Sequence, residues 1–258
     1  MKKRIWLRVL VGGMLTGFWS TVTYGAQLAQ LHFYTANYPP ANFQHQQQVT
    51  GYAVDLLYAA AKEVGQTLEP SQFTLQPWAR SYRTTLTDEN SVLFSTTRTP
   101  HRESLFTWVG PIHPIKVVVL ARKDAKIEIN NPLEMAKYRI GVIRDDVGEQ
   151  SLLALGLPRE SLQEATSVVM LAEQLQKKRI DLLAYDETAA LWWASQSGID
   201  PESFESVYLL KQGQLYYAFN KQTDAALLEL LQTGLDQLKR EEDENGMTKY
   251  QRIIEQYW

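Results

Sequence analysis

The sequence predicts an α/β protein made of two small lobes with a cleft between them. Strand-like runs alternate with helix-like runs, the pattern of largely parallel sheets covered by helices. The alternation passes along the chain twice, once before Lys116 and once after it. The 258 residues fit one large domain or two small lobes, and no low-complexity tract or internal repeat argues for anything else.

Residues 31–35 alternate and read as the first strand. Asn37-Tyr38-Pro39-Pro40 must leave it, because consecutive prolines cannot donate to a ladder. Residues 54–64 carry apolar side chains at helical spacing and stop at Gly65. A strand over 67–75 follows, and then Pro77 opens a short helix with Trp78, Ala79 and Arg80. Residues 91–95 form a short apolar strand that runs into the polar stretch Thr96-Thr97-Arg98-Thr99-Pro100.

In the second pass, 116–121 is strongly β-prone, 132–137 is a short helix and 139–143 a buried strand. Asp145-Asp146 precedes a helix to 155, and Ser167 is placed to cap a helix to 178. A strand over 181–184 leads to Asp186, which starts a helix to 197. Two strands, 208–210 and 215–219, come next. Thr223 is placed to cap a long helix to 242, and 247–257 is the last helix. Ligands in such sheets sit beyond the carboxyl ends of strands, where loops and helix N-termini point.

The N-terminus has the order of a secretory leader. Lys2, Lys3 and Arg4 precede an apolar run to Trp19, and small or polar residues follow through Ala26. The run is short for a membrane span and contains Arg8, so cleavage after Gly25 or Ala26 is expected. Loss of residues 1–25 removes four cations and no acids, taking the formal charge from −3 to −7. An acidic mature chain argues against nucleic acid and against an anionic membrane surface. The chain has no cysteine, which excludes disulfides, thiolate metal sites, a cysteine nucleophile and a cysteine-linked lipid. The expected place is the periplasm, with no stable membrane insertion after cleavage.

The stretches 37–43, 51–57, 94–102, 179–186 and 246–257, in that order and spacing, resemble the family 3 solute-binding proteins, the periplasmic receptors of polar amino-acid uptake. Asn37-Tyr38-Pro39-Pro40-Ala41-Asn42-Phe43 resembles that family's first-strand loop. Gly51-Tyr52-Ala53-Val54-Asp55-Leu56-Leu57 resembles its first helix start. The run from Phe94 through Ser95, Thr97 and Arg98 to His101 and Arg102 resembles its ligand loop. Arg179-Ile180-Asp181 through Tyr185-Asp186 resembles the second-lobe strand, and residues 246–257 resemble the closing helix. The resemblance implies a type II periplasmic-binding-protein-like fold, each lobe a mixed sheet flanked by helices, joined by a two-strand hinge. It implies a first lobe of 27–116 with 220–258 and a second of 117–219, with hinge crossings near 117–120 and 213–219. It also implies a monomer that delivers a small polar ligand, an amino acid or related compound, to an ABC permease or a membrane sensor.

The implied site draws on both lobes. Arg102 stands where the family's arginine binds the ligand α-carboxylate, a planar donor fork that matches a carboxylate at two points. Arg98 is its competitor, and a solvated arginine after the proline turn is the ordinary alternative. Ser95 and Thr97 can bond ligand polar atoms or their own turn. Asp186 can pair with a ligand ammonium, cap its helix, or do both. Tyr38 and Trp78 are flat platforms, with Phe43 a weaker one, although aromatic core packing is the usual use of such residues. Asp145-Asp146 departs from the family, which carries small hydroxylated residues at that helix start. An acid there can cap the helix and repel an anion, shifting specificity toward less negative ligands.

Enzyme readings have less to stand on. His32, His45, His101 and His113 form no metal-binding pair, and there is no nucleophile elbow or phosphate loop. No cofactor or metal is expected. The alternative is a cyclohexadienyl dehydratase-like enzyme on the same fold, with Asp146, Asp186 or Glu187 as the acid.

Overall fold

The computed structural model describes residues 27–257, so the expected leader lies outside the described residues. The first strand, β1 (His32–Thr35), is followed by a small hairpin, β2 (Phe43–His45) and β3 (Gln48–Thr50). The helix α1 (Tyr52–Glu63) starts two residues earlier than its apolar spacing indicates. Then come β4 (Phe73–Leu75), α2 (Trp78–Thr87), β5 (Ser91–Thr97), the single turn α3 (Pro100–Glu103) and β6 (Thr107–Val109). The chain continues as β7 (Pro114–Arg122), β8 (Ile140–Ile143), α4 (Val147–Ala154), β9 (Leu162–Ala165), α5 (Val168–Gln176), β10 (Leu182–Asp186) and α6 (Glu187–Gln196). It ends with β11 (Phe204–Phe219), α7 (Ala225–Arg240) and α8 (Lys249–Glu255).

The strands order as β4-β1-β5-β11-β7-β10-β8-β9, with β6 also on β11. β1 runs parallel to β4 and β5, and β8 runs parallel to β9 and β10. The two parallel sets meet through β7 and β11, which are antiparallel to each other. Residues 204–214 of β11 pair with β7, while 215–219 pair with β5 and β6, so one strand serves both halves. Sequence spacing divides this segment into two strands. The polar stretch Lys211-Gln212-Gly213-Gln214 has no apolar alternation, yet it stays on the ladder opposite residues 114–117.

Other departures have local causes. The expected strand over 67–75 shrinks to three residues, because Pro70 lacks an N–H and opens a 3-10 turn instead. The long helix is capped by Asp224, whose carboxylate accepts from the Ala226 N–H, and not by Thr223. Ser167 occupies the N-cap of α5 without a side-chain cap bond. Thr248 and Gln251 cap α8 reciprocally.

β7 explains its own composition. Val118 and Leu120 enter one core and Val119 and Ala121 another, so both faces are covered and the run is apolar throughout. The first half packs Phe33, Leu56, Phe94, Phe219 and Leu231 under α1 and α7. Those helices approach so closely that a Cβ at Gly234 would lie 2.1 Å from the Ala60 carbonyl oxygen. Gly234→Ala is therefore expected to push α7 off α1 and cost ~1–3 kcal/mol in chemical denaturation. No described helix is long and apolar enough to cross a membrane.

Candidate ligand-binding site

A cavity of about 320 Å³ lies between the two halves of the sheet. Its first wall comes from the loop after β1, the end of β4, the start of α2 and the end of β5. Its second wall comes from the starts of α4 and α5, the end of β10 and Trp193 of α6. These are carboxyl ends of strands and amino ends of helices, the places where α/β sheets present loops and N–H groups to ligands.

Six of the seven residues singled out in the sequence line this cavity: Tyr38, Trp78, Ser95, Thr97, Asp146 and Asp186. Tyr38 is held by a short backbone bridge to Asn42, and buried Asn42 in turn donates to Thr35 Oγ1 at 2.9 Å. The Tyr38 ring meets Tyr185 edge-on at 5.9 Å, across the cavity's two walls. Ser95 is in the left-handed region at φ 56°, a sparsely populated conformation for a residue with a side chain. Its hydroxyl is buried and has no hydrogen-bond partner. Gln76 Nε2, another cavity-lining atom, is in the same state.

The seventh, Arg102, is not among the residues that line the cavity. It is fully buried behind Trp78 and Tyr82, with its guanidinium 5.3 and 5.5 Å from their ring centres. Each of its nitrogens already donates within the protein: Nη1 to the Thr97 carbonyl at 3.3 Å, Nη2 to the Asp145 carbonyl at 3.1 Å, and Nε to Gln150 Oε1 at 3.1 Å. The Thr97 carbonyl and the two acceptors across the cleft draw it away from the cavity. Arg98 does not take its place, being bound at two points by Glu103 at 2.6 and 2.8 Å. Phe43 packs on Trp192 at 5.7 Å and does not line the cavity, nor does exposed His101. Glu187 is paired with Lys116 at 2.8 Å and lies outside this cavity as well.

Asp145 and Asp146 divide two roles. Asp145 is left-handed at φ 60°, which turns its carbonyl toward the first half. That carbonyl accepts from Trp78 Nε1 at 3.0 Å, Arg102 Nη2 at 3.1 Å and Gln150 Nε2 at 3.1 Å. Trp78 and Arg102 come from the opposite half, so the Asp145 carbonyl is a latch across the cleft. The Asp145 carboxylate adds an exposed pair with Arg83 at 3.3 Å, which contributes little in water. Asp146 lines the cavity. It faces the Val147 and Gly148 N–H groups at the start of α4 without closing a cap bond. Burial raises its pKa, and Arg102 acts in the opposite direction. Gly148 lets α4 sit this close, since a Cβ there would be 2.6 Å from the Ala184 carbonyl oxygen of β10.

Asp186 ends β10 and accepts the Ala189 N–H at 2.9 Å, so it is a helix cap as well as a cavity wall. Burial pushes its carboxyl up to about 6, against the pull of the Ala189 and Lys116 N–H groups and the Tyr38 hydroxyl. Asp146 adds to the rise. A second cavity of about 390 Å³ touches Asp186 from the side where Tyr52, His113 and Gly213 lie. Burial raises Tyr38 and Tyr185 well above the ordinary phenol value, so both stay neutral hydrogen-bonding groups.

Tyr185, Gln76 and Trp193 also line the cavity and were not picked out in the sequence. Tyr185 and Gln76 had a legible signal, since each sits at the carboxyl end of a strand-like run, beside Asp186 and Pro77. Trp193 had none, being one aromatic among many in a helix. Among the described residues no group of His, Cys, Asp and Glu is arranged to hold a metal ion.

A mixed sheet in two halves, crossed by two strands and enclosing a cavity at the strand ends, defines a two-lobed binding protein. Comparison with known proteins gives the family. The profile of the bacterial extracellular solute-binding proteins, family 3, matches residues 32–257, and the chain belongs to that family. No curated protein matches the chain significantly. Among solved structures, an ancestral arginine-binding protein bound to arginine superposes with a TM-score of 0.73 at 18% identity. That match covers 90% of this chain and 100% of the other. A histidine kinase sensor domain with similarity to periplasmic binding proteins gives 0.75 at 19% identity, covering 88% and 95%. An ancestral amino acid-binding protein, a precursor of cyclohexadienyl dehydratase, gives 0.68 at 20% identity, covering 88% and 95%. These likenesses establish a fold of two-lobed binding proteins, and the family is one of binding proteins, not enzymes.

Proposed function

We propose that the protein is a periplasmic receptor that captures a small amino-bearing solute between its lobes and presents it to a membrane partner. The observation that carries this is the cavity between the two halves, with a buried carboxylate, Asp186, on one wall and the aromatic rings of Tyr38 and Trp78 on the other. Tyr38, Trp78, Ser95 and Thr97 would contact the ligand from one lobe, and Asp146 and Asp186 from the other. The lobes would be 27–116 with 220–258, and 117–219, turning about crossings near 117–120 and 213–219. A ligand that touches both walls stabilises the closed state, which is the differential affinity that closure requires.

The partner is an ABC permease or a sensor. The family's extracellular receptors favour the first, and use of the same fold in a histidine kinase sensor domain keeps the second in play. The leader-like order of residues 1–25 supports the periplasmic place. A thermal-shift screen of amino acids, amines and small carboxylates tests the reading. A true ligand at 100 times its dissociation constant adds ~2.7 kcal/mol of stability. A protein that no member of the three classes stabilises is not a receptor of this kind.

A further inference from the structure

We propose that the cleft takes a small organic cation that carries no carboxylate, an amine with an apolar or aromatic body. This rests on the receptor reading above and narrows it to a chemical class.

The charge of the cavity is one-sided. Its lining contains two carboxylates, Asp146 and Asp186, and no Lys, Arg or His. Asp146 has a counter-charge in Arg102, which acts on it from behind the wall. Asp186 has none. The groups that favour its charge are two backbone N–H groups and a phenol, all neutral, and the ammonium of neighbouring Lys116 is held by Glu187 at 2.8 Å. One negative charge is left uncompensated in a low-dielectric cleft, so a ligand with one cationic centre completes it. A zwitterion would bring a second anion into a site that already has an excess.

Two of the places where a ligand carboxylate would be gripped are taken, while the amino end of α5, which Ser167 does not cap, also lines the cavity. A guanidinium fork is one such place, and Arg102 directs its N–H groups to the Thr97 and Asp145 carbonyls and to Gln150. The amino end of a helix is another. At α4 that position faces the protein's own Asp146 carboxyl. Releasing either would mean breaking the latch across the cleft or burying two facing carboxylates.

What remains suits an amine. The rings of Tyr38, Trp78 and Tyr185 line the same space as Asp186, and aromatic faces attract cations and cover apolar bodies. Ser95 Oγ and Gln76 Nε2 are buried there without partners, ready for one neutral polar group such as a hydroxyl or phenol.

Isothermal titration with matched pairs separates the classes: tyramine against tyrosine, phenethylamine against phenylalanine, agmatine against arginine, cadaverine against lysine. At least one amine is expected to bind about tenfold or more tighter than its amino acid. Asp186→Asn keeps an oxygen for the Ala189 N–H and is expected to lower that amine's affinity at least about 30-fold at an unchanged fold. Amino acids binding more tightly than their amines would overturn the inference and leave the receptor role intact. Unchanged amine affinity in Asp186→Asn, with circular dichroism as in the parent, would also overturn it. Silence across both arms would overturn the inference and the receptor role together.

Discussion

Affinity for a cleft cation is expected to climb as pH rises from 4.5 to 7.5, by about 30-fold, and to level off above pH 7. The group responsible is Asp186, whose carboxyl titrates at about 6 because burial opposes its charge. An aliphatic ammonium stays protonated over this range, so the profile comes from the protein's own groups. The ionised carboxylate pairs with the ammonium and the neutral acid does not. Below pH 6 each unit of acidification therefore removes close to a tenfold share of binding-competent protein.

Two groups near Asp186 titrate with the same sign: His113, which lines the second cavity with it and loses its charge as pH rises, and Asp146, whose pKa burial raises. Tyr38, Tyr52 and Tyr185 are all raised by burial and stay neutral. Lys116 and Glu187 pair with each other. Asp146 is raised too, but Arg102 opposes that rise. Asp186→Asn isolates the contribution, since it removes this limb of the profile and keeps the others.

The ligand-free protein carries the matching stability signature, and its sign is opposite to that of a salt-bridged acid. The folded-state value lies above the ordinary one of 3.8. Below the ordinary value both states are protonated and no penalty exists. As pH rises toward 6 the unfolded chain releases its proton first and gains, so the folded state loses about 3 kcal/mol across that window. A cation that binds Asp186 cancels the loss. Equal slopes for the parent and Asp186→Asn in pH-dependent denaturation, and a flat affinity profile, would remove Asp186 from this role.

The sequence carried much of this site and little of its wiring. Strand-helix alternation located the carboxyl ends of β1, β5 and β10, and with them Tyr38, Ser95, Thr97 and Asp186. Those positions follow from local periodicity, which is a property of a dozen residues. The contacts of Arg102 were not legible, because the direction of a long side chain is set by what it finds. Here its targets, the Asp145 carbonyl and Gln150, lie more than forty residues away in sequence. The left-handed turn at Asp145 that aims this carbonyl leaves no apolar pattern to read. The same limit hid β11, whose polar middle is held by pairing with β7 and not by its own composition. The acidic pair at 145–146, visible as a departure from the family, was the one local clue to the one-sided charge of the cavity.

Arg102→Ala is expected to destabilise the protein by roughly 3 kcal/mol and to open the ligand-free cleft. The side chain is fully buried and its charged donors reach three acceptors, two of them across the cleft on Asp145 and Gln150. Its loss leaves the Thr97 carbonyl and Gln150 without that donor and strips Asp146 of its counter-charge. Trp78 Nε1 still reaches the Asp145 carbonyl, so the latch is weakened and not abolished. Small-angle scattering should then give a larger radius of gyration for the ligand-free variant than for the parent. Ligands should suffer alike, because a smaller closed population divides every apparent affinity by the same factor. A residue that gripped a carboxylate would behave otherwise: amino acids would lose binding selectively, amines would keep it, and the ligand-free shape would not change. Arg102→Lys sharpens the contrast, since one ammonium can hold the Asp145 carbonyl and restore part of the closure without reproducing a two-point fork.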